Sequence, residues 1–299
     1  MSTPIFYSTE FECLGYGVDT REKAGWIAQS LQTNPIQGVT VTVPSPATID
    51  QISQVHDSRY VRAIFSGRPD HFADRNGMGP WSTDLRTSVQ SSIGGVIDSA
   101  RLAYMGKTIS GSLASGLHHA RFSFGSGFCT FNGLAIAATE VVKLGAQRVL
   151  ILDLDAHCGG GTASLIEGMN NVEQVDVAVS SFDSYQPTHN SSLTMSSGTT
   201  YLADIEKALT SIVDPASIDL VVYNAGMDPH EGCDTGGVAG ITTTDLEKRE
   251  NMVFEWARSH ELPVTFALAG GYSGRRLSKE ELVGLHRLTI SAAATWNVQ

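Results

Sequence analysis

The chain has 299 residues, 41% hydrophobic and 17% charged, which excludes an extended disordered protein and gives enough length for one large α/β core. A net charge of -11 excludes a broad electrostatic footprint on nucleic acid. No apolar run approaches the roughly 18 residues of a membrane-spanning helix, and the opening MSTPIFYSTEFE lacks the basic-then-apolar order of a secretory leader, so a cytoplasmic protein with no membrane partner is expected.

In chain order, residues 66–92 are rich in Gly, Pro, Ser and Asp and read as a long loop. From 107 onward strand-like and helix-like segments alternate. Residues 107–114 (KTISGSLA) read as a strand and 130–146 as a helix. Residues 148–157 (RVLILDLDAH) read as a buried strand running into a loop, and 160–169 as a short helix. Residues 174–183 form the next expected strand, 183–200 a second long loop and 201–213 a helix. Then follow a strand at 218–228, a helix at 243–260, a strand at 263–272 and a last helix at 278–296. Continuous apolar strands alternating with helices predict one domain over 1–299, a mostly parallel sheet covered on both faces. The polar residues collect where strands end: HHA, DLDAH, SSFD, NAGMD and AGGY. Open α/β sheets bind ligands at that carboxyl edge, so these segments should converge. The four cysteines, Cys13, Cys129, Cys158 and Cys233, form no CxxC pair and are expected as reduced thiols.

DLDAH carries the chemistry. In extended chain, residues i and i+2 face one way, so Asp153, Asp155 and His157 share a side and Asp155 and His157 can reach one ion. Asp228, just past its strand, is the natural third ligand, leaving a fourth position for an activated water. The bland alternative is helix capping, but a cap needs only one acid. His118 and His119 follow another strand and can act as base and acid. Tyr272 follows Gly270 and Gly271, which permit a sharp turn, and its phenol can donate to a developing oxyanion.

Five ordered motifs resemble the histone deacetylase and acetylpolyamine amidohydrolase family, of the arginase-deacetylase fold. They are SGLHHARFSFGSGFCTFNGLAIA, LDLDAHCGGGT, VVYNAGMDPHEGCDTGG, LAGGYSG and the upstream PSPATIDQISQVHDSRYVRAIFSG, and the likeness spans roughly residues 4–290. The phrasing leans toward the class IV branch. The resemblance implies zinc at Asp155, His157 and Asp228, a His118–His119 acid/base pair, Tyr272 on the substrate carbonyl, and Asp153 behind His118. It implies a potassium site from Asp153, Ser180 and Ser181. Phe128 would line a tunnel for an acyl-lysine-like stem, with Gly127, Gly270 and Gly271 along the substrate path.

Four positions depart from the family pattern. Gly160 stands where an Asp or Asn supports the second histidine, so that support is expected to be missing. Cys158 replaces a histidine. The rim loop Met78–Trp81 offers no aspartate, and 20–31 (TREKAGWIAQSL) replaces a His-Pro segment. The expected function is hydrolysis of an N-acyl amide, on acyl-lysine or a small acylated amine. Iron(II) also suits two Asp and one His. The alternatives are a binuclear manganese amidinohydrolase of the ureohydrolase type and a pocket-binding protein with little turnover. Acyl length and oligomeric state are not written in these motifs.

Overall fold

A computed structural model describes residues 2–297; Met1, Val298 and Gln299, inside the expected 1–299 domain, lie outside the described residues. The elements are β1 (Thr3–Phe6), α1 (Lys23–Thr33), β2 (Val39–Thr42), α2 (Ile49–Ile52), α3 (Ser58–Ser66), α4 (Asp70–Ala73), α5 (Thr83–Gly106), β3 (Ile109–Ser112), α6 (Gly133–Lys143), β4 (Val149–Asp153), α7 (Gly160–Ile166), β5 (Val172–Ala178), β6 (Ser191–Met195), α8 (Tyr201–Thr210), β7 (Leu220–Asn224), α9 (Thr243–Ser259), β8 (Val264–Ala267) and α10 (Lys279–Asn297).

The eight strands form one sheet in the order β2-β1-β3-β8-β7-β4-β5-β6, and every pairing is parallel. The central strands β3, β8, β7 and β4 are buried along their whole length, as strands of a parallel sheet covered on two faces are. α5 and α10 both pack against β1 and β3. Register pairs Ser112 with Ala267, Ala267 with Asn224, and Asn224 with Asp153. Four strands therefore finish level, and the polar segments after them open on one edge. Among the described residues no helix is long and apolar enough to cross a membrane.

Two expected loops are corrected. Residues 66–92 are not one loop, because α5 starts at Thr83, where the Ser82 hydroxyl accepts from the Leu85 N–H at 3.0 Å. Its Ser- and Gly-rich composition reflects close packing: a Cβ on Gly94 would lie 1.9 Å from the Ser45 carbonyl oxygen. The second loop, 183–200, contains β6, which pairs with β5 from Gln174↔Ser191. β6 is the sheet edge and mostly unburied, so its polar residues face solvent and leave no apolar run. The expected strands also end early. β4 stops at Asp153, so Asp155 and His157 sit in the loop after it, not in extended strand.

Candidate metal centre and active site

The loops after β4 and β7 bring three ligand atoms together. His157 Nδ1 lies 3.1 Å from Asp155 Oδ1 and 3.1 Å from Asp228 Oδ2. Two ligands about 2.1 Å from a tetrahedral ion stand about 3.4 Å apart, so the group needs little adjustment to close on one. It is the one cluster of three or more His, Cys, Asp or Glu side chains of this kind among the described residues. Backbone donors aim the carboxylates. Gly270 N–H donates to Asp155 Oδ2 at 2.8 Å, His157 N–H to Asp155 Oδ1 at 3.0 Å, and Ala156 N–H to Asp228 Oδ1 at 3.0 Å. Asp228 Oδ2 is buried with no hydrogen-bond partner, although His157 Nδ1 lies 3.1 Å away.

Two further observations fit a cation here. A Cβ on Gly270 would lie 2.1 Å from Asp228 Oδ2 and 2.4 Å from Asp155 Oδ2, so only glycine keeps that space open. Burial and the neighbouring Asp155 carboxylate hold the Asp228 carboxyl above the usual range. Burial works against the His157 imidazolium, but Asp155 and Asp228 outweigh it and push its pKa up to about 11. Such a group binds positive charge.

Buried cations brace the loops. The Arg249 guanidinium, fully buried on α9, donates from Nη1 to Leu154 O at 3.2 Å and Gly226 O at 2.7 Å, joining the two ligand-bearing loops. Lys23 Nζ donates to Ala269 O at 2.5 Å and Gly271 O at 3.1 Å, fixing the turn that presents Tyr272. Neither was singled out from sequence. Lys23 belongs to the 20–31 segment that departs from the family pattern.

The histidine pair stands beside the cluster of Asp155, His157 and Asp228, ring centroids 3.9 Å apart. His118 Nδ1 is 2.8 Å from Asp153 Oδ2, while Asn224 Nδ2 donates to Asp153 Oδ1 at 2.8 Å. Burial opposes the His118 imidazolium, yet Asp153 and Asp155 dominate and raise its pKa to about 10. A cation at Asp155 would cancel that residue's share and leave Asp153's. Burial and the His118 charge lower His119 to about 4. His119 Nδ1 lies 2.9 Å from Asp183 Oδ2. The support expected to be missing with Gly160 is thus present from a different residue, just past β5. The SSFD segment, already placed on this edge, was the available signal.

Tyr272, with its phenol pKa held well above the usual value by burial, lines the inner pocket with His118, His119, Asp155 and His157. A cavity of about 210 Å³ leads outward between Phe128, Phe182, His119 and Tyr272. Phe128 is half-buried with its ring centroid 6.1 Å from that of Tyr272, so it is a wall residue, not core. Phe182, missed in the sequence, stands opposite, 48% exposed and edge-on to His119 at 4.9 Å. Gly127 borders the same cavity, and Gly270 lines the inner pocket. Gly271 adjoins through its carbonyl bond from Lys23. A larger groove of about 450 Å³ at the β6 edge contains none of these side chains.

Of the expected potassium group, Asp153 spends its carboxylate on His118, Asn224 and the Asp155 N–H. Ser180 bridges to His157 in parallel fashion, and Ser181 is exposed. Cys158 is buried against Ser180 O, its thiol pushed up to about 12 by burial, which keeps it protonated. All four cysteines are buried and free. In the rim loop, Asn76 Oδ1 accepts from Met78 and Gly79 N–H, and Asp74 Oδ1 is used by the Trp81 N–H.

Residues 19–283 match the model of the histone deacetylase domain family. An uncharacterized protein of Picosynechococcus sp. is 32% identical over 268 residues, 88% of each chain. Histone deacetylase 2 of Arabidopsis thaliana is 31% identical over 65% of this chain and 52% of its own. The acetoin utilization protein AcuC of Staphylococcus aureus is 33% identical over 44% of this chain and 36% of its own, so the chain spans about half of one of these two relatives and about a third of the other. Two solved structures share the fold at low identity. The HDA15 HD domain has a TM-score of 0.79 at 19% identity, covering 99% of this chain and 90% of that one. The acetylpolyamine aminohydrolase from Burkholderia pseudomallei has 0.77 at 17%, covering 97% and 98%. These matches do not single out the class IV branch.

Proposed function

This chain belongs to the histone deacetylase family, a family of hydrolases, and we propose that it cleaves an N-acyl amide, acyl-lysine or an acylated amine, with one zinc ion held by Asp155, His157 and Asp228. The observation that carries the reading is the convergence of those three ligand atoms beside two histidines of opposite protonation tendency. When bound there, a divalent ion supplies Lewis-acid polarisation and lowers the pKa of a water.

The chain's own residues divide the rest. Phe128 and Phe182 flank a long aliphatic stem and admit the acyl carbonyl to the inner pocket. Tyr272 keeps its phenolic proton and donates it as a hydrogen bond to the carbonyl oxygen as negative charge develops. His119, kept neutral, takes a proton from the attacking water. The new C–O bond forms, the C–N bond breaks, and the histidine pair returns a proton to the departing amine. His118, held by Asp153, is the second member of the pair beside the anionic stage. Groups whose pKa values are pushed apart in this way are suited to divided acid and base work. A potassium ion near Asp153, Ser180 and Ser181, and a cytoplasmic location, belong to the same proposal.

The binuclear alternative would need a second ligand cluster, and among the described residues the three-residue group stands alone. The low-turnover alternative rested on Gly160, and Asp183 supplies the contact it lacks. Purified protein should hydrolyse a fluorogenic acyl-lysine amide, lose that activity to a chelator and regain it with zinc. Activity indifferent to exhaustive chelation would refute the proposal.

A further inference from the structure

Asp183 sits at a junction of three donors. His119 Nδ1 and the Gly161 N–H each lie 2.9 Å from its Oδ2, and Arg121 Nη2 donates to its Oδ1. The carboxylate is 9% exposed and the His119 side chain 4%. Arg121 is donor-only, and so is a backbone N–H. Both oxygens of residue 183 must therefore accept, which a carboxylate does and an amide cannot.

The route to this contact depends on Gly160. A Cβ there would lie 2.2 Å from the Asp183 carbonyl oxygen and 2.8 Å from Asp183 Oδ1. Asp183 adopts φ 58°, the left-handed region that Asp tolerates better than most residues. A side chain at the first residue of α7 and this path of the 183 backbone exclude each other.

We propose that Asp183 is the positioning residue of His119, and that Gly160 is glycine so that Asp183 can reach it. The contact holds a proton on His119 Nδ1 and leaves the Nε2 lone pair free. Phe182, the preceding residue, packs perpendicular to the His119 ring with centroids 4.9 Å apart. One turn thus supplies both a wall of the tunnel and the acid behind the histidine. The inference rests on His119 being the base of the proposed reaction.

The test uses the full-length zinc-loaded chain with a fluorogenic acyl-lysine amide. Asp183→Asn should lower kcat about 10- to 100-fold, the usual effect of removing an orienting partner, with KM and zinc content little changed. Arg121→Gln combined with Asp183→Asn should recover part of that loss, because the amide can then turn its NH2 toward the vacated side. Gly160→Ala should lower kcat by displacing residue 183 although it touches neither histidine. In the metal-free protein, nitrogen NMR of labelled histidine should find His119 as the Nδ1–H tautomer, and Asp183→Ala should mix the tautomers. Wild-type kcat in Asp183→Asn, or a double variant no more active than Asp183→Asn, overturns the inference. His119→Gln separates the two levels. If it retains turnover, the proposed reaction itself fails; if it is inactive while Asp183→Asn is not, only the positioning role fails.

Discussion

Asp228→Asn should strip the protein of stoichiometric zinc, and with it the activity, while leaving the fold intact. Zinc held by a few protein ligands is bound by roughly 10–16 kcal/mol, so losing one of three ligands costs some 3–5 kcal/mol, or about 10²- to 10⁴-fold in affinity. Asparagine keeps the shape and the bond from the Ala156 N–H, which reaches Oδ1 at 3.0 Å. Burial and Asp155 raise the Asp228 pKa, so ionising this acid destabilises the metal-free protein as pH rises. Metal-free Asp228→Asn should still melt cooperatively, although His157 loses one of the two carboxylates that raise its pKa. Metal analysis after dialysis and thermal melts of both metal-free proteins check this. One zinc retained per chain would remove Asp228 from the ligand set.

Tyr272→Phe should separate chemistry from metal binding. Removing a single donor to a developing oxyanion costs about 10²- to 10³-fold in kcat. Burial keeps the phenol protonated far above neutral pH, so this donor is available throughout the working range. The substitution leaves the aromatic wall opposite Phe128 in place and touches none of Asp155, His157 or Asp228. We expect unchanged zinc content and nearly unchanged KM with the loss confined to kcat. Loss of zinc together with activity would assign Tyr272 a structural role instead.

The sheet was legible because its central strands, VLILD and LVVYN among them, are buried on both faces and so read as unbroken apolar runs. Level register along β3, β8, β7 and β4 explains why their polar ends predicted the site. α5 was obscured because close approach demands small residues, as Gly94 against Ser45 illustrates, and small residues mimic a loop. β6 was obscured because an edge strand buries too little to need apolar side chains. In the site, Asp155, His157 and Asp228 were legible from residue type and position. Asp183 was not, because its role arises from where a left-handed turn carries one carboxylate. Arg249 and Lys23 were invisible for a similar reason: they act on backbone carbonyls of distant loops, contacts no local pattern records.

The most direct test is anomalous X-ray scattering at the zinc edge from crystals of the zinc-loaded chain. The account predicts one peak per chain, about 2.0–2.2 Å from Asp155, His157 and Asp228 together. A peak held by other residues, or two ions bridged in this pocket, would contradict it.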